Sequence, residues 1–132
     1  MSIFRIGVRS LILYNRKVLL VQRPNTSWEL PGGTLEFGED LHVALRREIK
    51  EETDLDDIRI EKLLYAVTMK MGPDRQDVGL MYLSYASSDK VKISNEHIDA
   101  LWADKEQMLK LLNSRMLNEL KENAVLDLLE ID

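Results

Sequence analysis

Three glutamates close together in the sequence, Glu48, Glu51 and Glu52, are the residues best placed to do chemistry. The surrounding pattern predicts an amphipathic helix. When the helix is wound at about 100° per residue, Glu48 and Glu52 lie on the same stripe of its surface as Leu41 and Leu45, and Glu51 lies beside that stripe. A helix that only packs on a core keeps charges off its inner face. Neighbouring carboxylates repel one another unless a cation lies between them, and Mg²⁺ or Mn²⁺ suits oxygen ligands. The spacing therefore predicts a divalent-metal site.

A solvated acidic patch is the alternative explanation, because runs of charge usually face water. Two observations favour the metal site. The glutamates share their stripe with apolar residues, and Pro31-Gly32-Gly33 precedes the helix at short range. Consecutive glycines let the backbone approach a metal or a phosphate closely.

The segment 33–55 resembles the signature of the Nudix hydrolases, in which a glycine, a glutamate and an Arg-Glu-x-x-Glu-Glu motif follow one another at fixed spacing. The residues that match in register are Gly33, Glu39, Arg47, Glu48, Ile49, Glu51, Glu52 and Leu55. Asp54 departs from the signature, because it stands where the family has its second glycine. That glycine would end the helix in a left-handed conformation, which Asp tolerates better than most residues. We expect a strained but intact helix end.

Length and composition predict one globular domain over residues 1–132, with 45% hydrophobic and 31% charged residues. We find no apolar run long enough for a membrane span and no secretory signal. Cysteine is absent, which excludes disulfides and a thiol nucleophile and suits the cytoplasm. The net charge of −5 argues against a nucleic-acid polymer as partner but allows a nucleotide bound through a metal. Whether the protein forms a homodimer stays open.

Apolar periodicity and turn residues predict strands on both sides of the glutamate-bearing helix. The strands are expected at residues 3–13, 18–22, 28–30, 57–71, 78–86 and 98–102, with a short edge strand at 91–93. The helices are expected at 41–53, capped by Asp40, and at 105–112 and 116–129. The last helix should bury Leu117, Leu120, Ala124, Val125 and Leu128. This pattern predicts an α/β domain, and the resemblance selects the Nudix fold, a mixed β-sheet sandwiched between α-helices.

The resemblance implies an activity and a set of ligands. Nudix hydrolases cleave a nucleoside diphosphate linked to another group, using a divalent metal and water, so we expect Mg²⁺ or Mn²⁺ as cofactor and a small nucleotide as substrate. The implied ligands are Glu48 and Glu52, with Glu51 and the Gly32 carbonyl as further candidates. A metal held there would neutralise phosphate oxygens and lower the pKa of a bound water.

Arg47 lies just off the stripe of glutamates, and we expect it to orient one of them by an ion pair with Glu39 or Glu51. A surface arginine is the alternative. The general base stays open among Glu48, Glu52 and Glu96.

Glu96 enters because Asn95-Glu96-His97 precedes the strand that ends at Trp102 much as in many family members. A solvated loop acid is the alternative for Glu96, and His97 is expected to be structural or exposed.

Arg23, Trp28 and Glu39 are the candidates for substrate binding. Arg23 follows the second strand and is expected to contact a phosphate; Arg5, Arg9 and Arg75 are further candidates, among which the sequence does not choose. The side chains that could stack on a base are Trp28, Tyr65, Tyr82, Met69 and Met81, although core packing explains most of them equally.

The substrate is open between a nucleoside triphosphate and a nucleotide sugar or ADP-ribose. The proline of the ADP-ribose subgroup is displaced, because Lys70 occupies its position and Pro73 follows three residues later. The compact chain resembles the small nucleoside-triphosphate members most. A non-catalytic nucleotide-binding Nudix module is the alternative function, and the full set of glutamates argues against it. An isopentenyl diphosphate isomerase shares the fold but relies on a cysteine, which this chain lacks.

Overall fold

A computed structural model describes residues 1–24, 27–95, 97 and 99–132. Glu96 therefore lies outside the described residues. In chain order the elements are β1 (Ile3–Tyr14), β2 (Lys17–Gln22), β3 (Trp28–Glu29), β4 (Gly32–Thr34), α1 (Leu41–Thr53), β5 (Ile58–Lys70), β6 (Arg75–Ala86), β7 (Asp99–Ala103), α2 (Lys105–Leu111) and α3 (Ser114–Glu122), followed by a 3₁₀ turn (Leu126–Leu128). No helix in the described part of the chain is both long and apolar enough to cross a bilayer.

The strands form one mixed sheet in the order β3-β2-β1-β6-β5, with β4 beside β1 and β7 beside β2. β1 and β6 run parallel over eleven paired positions, and the other pairs are antiparallel. β2 pairs with β1 only at Leu13 and Tyr14, whereas β4 pairs with Gly7, Val8 and Arg9. The glycine segment that precedes the signature helix therefore lies beside the middle of the sheet.

Alternate residues of β1 supply two separate hydrophobic cores. Val8 and Ile12 face α1, whose buried residues include Leu45. Leu11 and Leu13 face the opposite side, where α2 and α3 cover the sheet. Helices on both faces of a mixed sheet confirm the predicted fold class.

The buried face of helix α1 is rotated slightly about the helix axis relative to the predicted one. Leu41 is 37% exposed, whereas Ala44, Ile49 and Glu52 are buried. The apolar stripe therefore ends on Glu52. Asp40 occupies the N-cap position with an extended backbone, but its side chain makes no capping hydrogen bond.

Residues 91–93 are not a strand, contrary to the prediction. The backbone N–H groups of Lys92 and Ser94 instead donate to the carbonyls of Thr53 and Glu52, at 2.9 and 3.1 Å. These are carbonyls that the last turn of a helix leaves without an intrahelical partner. The segment therefore ties the loop before β7 to the end of α1.

The predicted helix at 116–129 is also wrong in its second half. α3 ends at Glu122, and Ala124 has a positive φ of 56°, which interrupts the helix before the 3₁₀ turn. Leu120 and Val125 are buried as expected, but Leu128 is 66% exposed.

Asp54 has the left-handed conformation that the missing glycine predicts, with φ 63° and ψ 9°. Its side chain also accepts a hydrogen bond from Lys50 Nζ at 2.8 Å, on the surface. We expect Asp54→Gly to raise the Tm by about 2–3 °C, because relief of backbone strain outweighs the lost surface ion pair and the greater freedom of the unfolded chain. Thermal unfolding followed by circular dichroism measures the change.

Asp54→Asn is the matched control, since asparagine also tolerates the left-handed conformation but carries no charge. A Tm that falls in Asp54→Gly and falls equally in Asp54→Asn would show that the Lys50 contact outweighs the strain.

Candidate active site

Two clefts meet at the end of α1. The first, which we call the carboxylate cleft, has a volume of about 340 Å³ and is lined by Arg23, Gly33, Thr34, Glu36, Arg47, Glu48, Glu51, Glu52 and Ser94. The second, the sheet cleft, has a volume of about 410 Å³ and lies over β1, β6 and β5 beneath α3. Arg23, Gly33 and Thr34 line both clefts, so the two clefts adjoin at these residues.

Glu52 is the most enclosed carboxylate of the site, with 2% of its surface exposed. The Gly32 N–H donates to its Oε1 at 2.7 Å, and its Oε2 lies 3.2 Å from His97 Nε2 and 3.5 Å from Arg23 Nη2. Burial raises the pKa of the Glu52 carboxyl from its ordinary 4.5 to about 7, although the Gly32 N–H opposes the shift. The contacts fix both oxygens of this side chain.

Glu48 depends on the absence of a side chain at Gly33. A Cβ at Gly33 would lie 2.2 Å from the carboxylate carbon of Glu48. The Glu48 carboxylate thus packs directly on the backbone of β4. Its Oε1 accepts a hydrogen bond from Arg47 Nη1 at 2.9 Å.

Arg47 links the loop before α1 to the glutamates on the helix. It donates to both oxygens of Glu39, from Nε at 2.7 Å and from Nη2 at 2.9 Å, and its Nη1 lies 3.4 Å from Glu51 Oε2. These hydrogen bonds lower the pKa of the Glu39 carboxyl. Ion pairs are therefore present with both of the expected partners, and Glu39 is committed to Arg47 rather than to either cleft.

The charge of the carboxylate cleft fits a divalent cation. Among the described residues that line it, Glu36, Glu48, Glu51 and Glu52 face two guanidinium groups, which leaves an excess of two negative formal charges. The donors are all oxygens, which Mg²⁺ and Mn²⁺ prefer. The side chain of Glu51 is 59% exposed, so Glu51 lies at the rim and Glu52 at the base.

A different trio, Glu29, Glu52 and His97, has ligand atoms that all lie within 4.8 Å of one another. Both carboxylates of this trio already have arginine partners: Arg23 Nε lies 2.9 Å from Glu29 Oε1 and its Nη2 lies 3.5 Å from Glu52 Oε2, while Arg9 Nη1 lies 4.0 Å from Glu29 Oε1. We therefore interpret the trio as the support of Glu52 rather than as a second metal site.

The position of His97 beside Glu52 is the feature of the site that sequence reasoning did not predict. The side chain of His97 is fully buried, and its Nδ1 lies 3.3 Å from Ser94 Oγ. The carbonyl of Glu52 binds the Ser94 N–H, which brings this loop onto the end of α1. No periodicity signals such a contact, because the loop and the helix are some forty residues apart in sequence.

The remaining predicted residues divide between the clefts and the core. Arg23 lies where the two clefts join, and Tyr65, Met69 and Met81 line the sheet cleft. Trp28 packs against the core beneath α2 and α3 and lines neither cleft in the described part of the chain. Its proposed stacking on substrate stays a prediction that its position does not favour. Tyr82 is buried on the α1 side, where its ring meets His42 edge-on.

Comparison with known proteins places the chain in a family. A sequence model of the NUDIX domain matches residues 4–123, and the chain belongs to the Nudix family. An ADP-ribose pyrophosphatase of Methanocaldococcus jannaschii is 30% identical over 114 residues, which are 80% of this chain and 65% of that protein. The nucleoside triphosphatase NudI of Escherichia coli is 33% identical over 98 residues, which are 62% of this chain and 64% of that protein.

The fold agrees with solved structures. A MutT protein from Methanosarcina mazei Go1 superposes with a TM-score of 0.78 at 25% identity, over 93% of this chain and 94% of that one. The Nudix fold predicted from the signature is thereby confirmed. The chain spans less than two thirds of the length of the curated relatives named here.

The two glycines of β4 should respond differently to alanine. At Gly32, φ is 151° and a Cβ would lie 2.1 Å from the Val8 carbonyl oxygen, which is backbone and cannot move aside. At Gly33 the obstructing atoms belong to the end of the flexible Glu48 side chain. We expect Gly32→Ala to lower the free energy of unfolding by at least about 2 kcal/mol, and Gly33→Ala to lower it by under about 1 kcal/mol.

Urea unfolding measures both changes, and each variant is the control for the other. Although Gly33→Ala should cost little stability, it should lower the catalytic rate at least about tenfold, because the new Cβ displaces the Glu48 carboxylate. Full activity in a folded Gly33→Ala protein would mean that the position of Glu48 does not matter.

Stability should fall with rising pH in the metal-free protein. The folded-state pKa of Glu52 is about 7 and its ordinary value is 4.5, so the folded protein holds a proton that the unfolded chain releases between these values. The free energy of unfolding should therefore decrease from about pH 4.5 to about pH 7, by roughly 2 kcal/mol. Urea unfolding in excess chelator across this range measures it.

Glu52→Gln should flatten this dependence, because glutamine does not titrate. Glu122→Gln, at the exposed end of α3, is the matched control and should keep the wild-type profile. Identical profiles in all three proteins would show that folding does not raise the pKa of Glu52.

Proposed function

We propose that this protein hydrolyses the diphosphate linkage of a small nucleotide in which a nucleoside diphosphate is joined to another group, with Mg²⁺ or Mn²⁺ as cofactor. The observation that carries the proposal is the carboxylate cleft. Its glutamates have an excess of negative charge, and a second cleft lined by arginines adjoins it. The two relatives are named as a pyrophosphatase and a nucleoside triphosphatase, which agrees with the proposal.

The residues that would hold the metal are Glu48, Glu51 and Glu52, with the carbonyl of Gly32 as a further ligand. The bound metal would neutralise phosphate oxygens and lower the pKa of a water. The protein supplies the positions of the ligands. Arg47 orients Glu48 by its 2.9 Å hydrogen bond, and the Gly32 N–H holds Glu52 at the base of the cleft.

Glu48 is our candidate for accepting the proton of the attacking water. Arg47 holds one of its oxygens, and the second lies beside Gly33 at the wall of the cleft. Glu52, in contrast, is enclosed by Gly32, Arg23 and His97, which suits a ligand better than a group that must exchange protons. Glu96 stays a predicted general base outside the described residues.

Arg23 is the candidate for binding the substrate phosphates. Its side chain is 39% exposed and lies where the two clefts join, so one guanidinium reaches both the carboxylates and the organic part of a substrate. The water oxygen attacks a phosphorus of the diphosphate, and the bridging P–O bond breaks. A nucleoside triphosphate then yields a nucleoside monophosphate and pyrophosphate, and a sugar-linked diphosphate yields two monophosphates.

A nucleotide-binding module without turnover is the alternative, and it would use the same clefts. The complete set of glutamates favours the enzyme, because binding alone requires no carboxylate beside the phosphates. A cytoplasmic location stays a prediction.

Hydrolysis should require Mg²⁺ or Mn²⁺, stop in excess EDTA, and fall at least about a hundredfold in kcat in Glu52→Gln. Glutamine keeps the size and the hydrogen bond to Gly32 but loses the charge. A panel of nucleoside triphosphates, nucleotide sugars and ADP-ribose, with products resolved by chromatography, measures the rates. Near-normal turnover in a folded Glu52→Gln protein, with Glu122→Gln as control, would contradict the assignment of Glu52.

The bond that breaks can be identified in ¹⁸O-labelled water. We expect the label in a nucleoside monophosphate or pyrophosphate after hydrolysis of a triphosphate, as read by mass spectrometry. Labelled inorganic monophosphate together with a nucleoside diphosphate would show terminal phosphatase chemistry instead.

A further inference from the structure

Two glycines lie side by side in the floor of the sheet cleft. Gly7 of β1 and Gly79 of β6 are paired across the parallel strands, and Gly7 is also paired with Thr34 of β4. Gly79 is paired in turn with Val67 of β5. Three strand spacings of about 4.8 Å therefore separate Thr34, at the carboxylate cleft, from Val67. We call this row of the sheet cleft, from Thr34 to Val67, the trough. It is long enough for the organic part of a molecule whose diphosphate lies at the carboxylate cleft.

Positive charge is concentrated along this trough. Five of the nine arginines of the chain line the sheet cleft, and no lysine does. They are Arg5, Arg9, Arg23, Arg75 and Arg115. Such a concentration in a chain with a net charge of −5 indicates an anionic ligand.

Two of these arginines belong to the end of the trough near the carboxylate cleft. Arg23 pairs with Glu29 and Glu52, and Arg9 donates to the Leu30 carbonyl at 2.7 Å. Both are thus held close to the position proposed for the diphosphate. Arg5 lies four residues before Arg9 on the same face of β1, which separates their backbones by about 13 Å.

The side of the trough near Arg5 is left with positive charge. Asp77, which is paired with Arg5 in the sheet, takes two hydrogen bonds of 2.9 Å from Arg75 instead. Glu119 accepts from the Tyr65 hydroxyl at 3.3 Å and lies 4.0 Å from Arg115 Nε. Arg5 itself is exposed and forms no ion pair with any residue that the structure describes.

We infer that the sheet cleft recognises a further phosphate monoester on the organic part of the substrate, bound by Arg5 and Arg115. The inference rests on the proposed function, because it specifies what the same substrate carries. Guanidinium groups suit this ligand, since they bind phosphate oxygens in a bidentate manner and stay charged. Asp77 also interacts with the charge of Arg5, but its two hydrogen bonds come from Arg75. The three arginines of this side, Arg5, Arg75 and Arg115, therefore leave one positive formal charge in excess of Asp77 and Glu119.

The test compares two pairs of diphosphates that differ by one phosphate monoester: ADP-ribose with its 2′-phosphate, and dephospho-coenzyme A with coenzyme A. We expect the phosphorylated member of at least one pair to have a kcat/KM at least about tenfold higher. Arg5→Gln and Arg115→Gln should each reduce that preference, because they lower the kcat/KM of the phosphorylated member more than that of the unphosphorylated one. Arg59→Gln, which removes an exposed arginine of β5 outside both clefts, is the matched control.

No preference in either pair would overturn the inference while hydrolysis itself still supports the proposed function. An equal loss for both members in Arg5→Gln would also overturn it, because Arg5 would then bind the shared diphosphate. Calorimetric Kd values for the same pairs in Glu52→Gln protein separate the two claims. Suppose that a phosphorylated member binds more tightly, that Arg5→Gln abolishes this difference in Kd, and that the wild type turns over neither member. This result would support the inference and contradict the proposed function. Equal Kd values would overturn the inference without any reference to turnover.

Discussion

The hydrogen bond from the Gly32 N–H to the buried carboxylate of Glu52 is the contact on which the rest of the site depends. An apolar stripe carries α1 onto the sheet, and that stripe ends on a glutamate that is 2% exposed. Burial of a charged group is costly unless partners compensate it. The Gly32 N–H and the charges of Arg23 and Arg9 supply part of that compensation. The raised pKa of Glu52 indicates that the compensation is incomplete, and a cation bound at this carboxylate would complete it.

The position of β4 follows from this contact. Its three residues lie beside the middle of β1, and φ at Gly32 is one that residues with side chains rarely adopt. Gly33 then leaves room for Glu48, and Arg47 holds Glu48 and Glu39 together. These contacts explain the residue types of Gly33, Glu39, Arg47 and Glu48 in the signature. Asp54 is the exception in the pattern, and it takes the left-handed conformation at the cost of strain.

Sequence reasoning predicted what periodicity and spacing encode. The bounds of α1, the long strands β5 and β6, and the gathering of the glutamates at one end of the helix are all local or periodic features. The burial of Glu52 followed from the same winding argument that placed it on the stripe of Leu45. The left-handed conformation of Asp54 followed from the resemblance, because the family has a helix-ending glycine at this position.

Long-range contacts were not predictable in this way. His97 reaches Glu52 only because the N–H groups of residues 92 and 94 bind the carbonyls at the end of α1. No local propensity indicates that residues 91–93 bind there rather than form an edge strand. β4 is three residues long and contains two glycines, so it has no strand pattern. Leu41 is exposed because the helix is rotated so that Ile49 and Glu52 are buried, a rotation set by tertiary packing. The row formed by Gly7 and Gly79 appears only when β1 and β6 pair in register.

Direct measurement of divalent-metal binding tests the central claim, that the carboxylates at the end of α1 form a cation site. Mn²⁺ can be titrated into the protein and the free ion counted by electron paramagnetic resonance, without any substrate. The wild type and Glu122→Gln should bind Mn²⁺ with the same Kd, and Glu52→Gln should bind it at least about tenfold more weakly, because one charged ligand is lost. Unchanged Mn²⁺ binding by a folded Glu52→Gln protein would contradict the account.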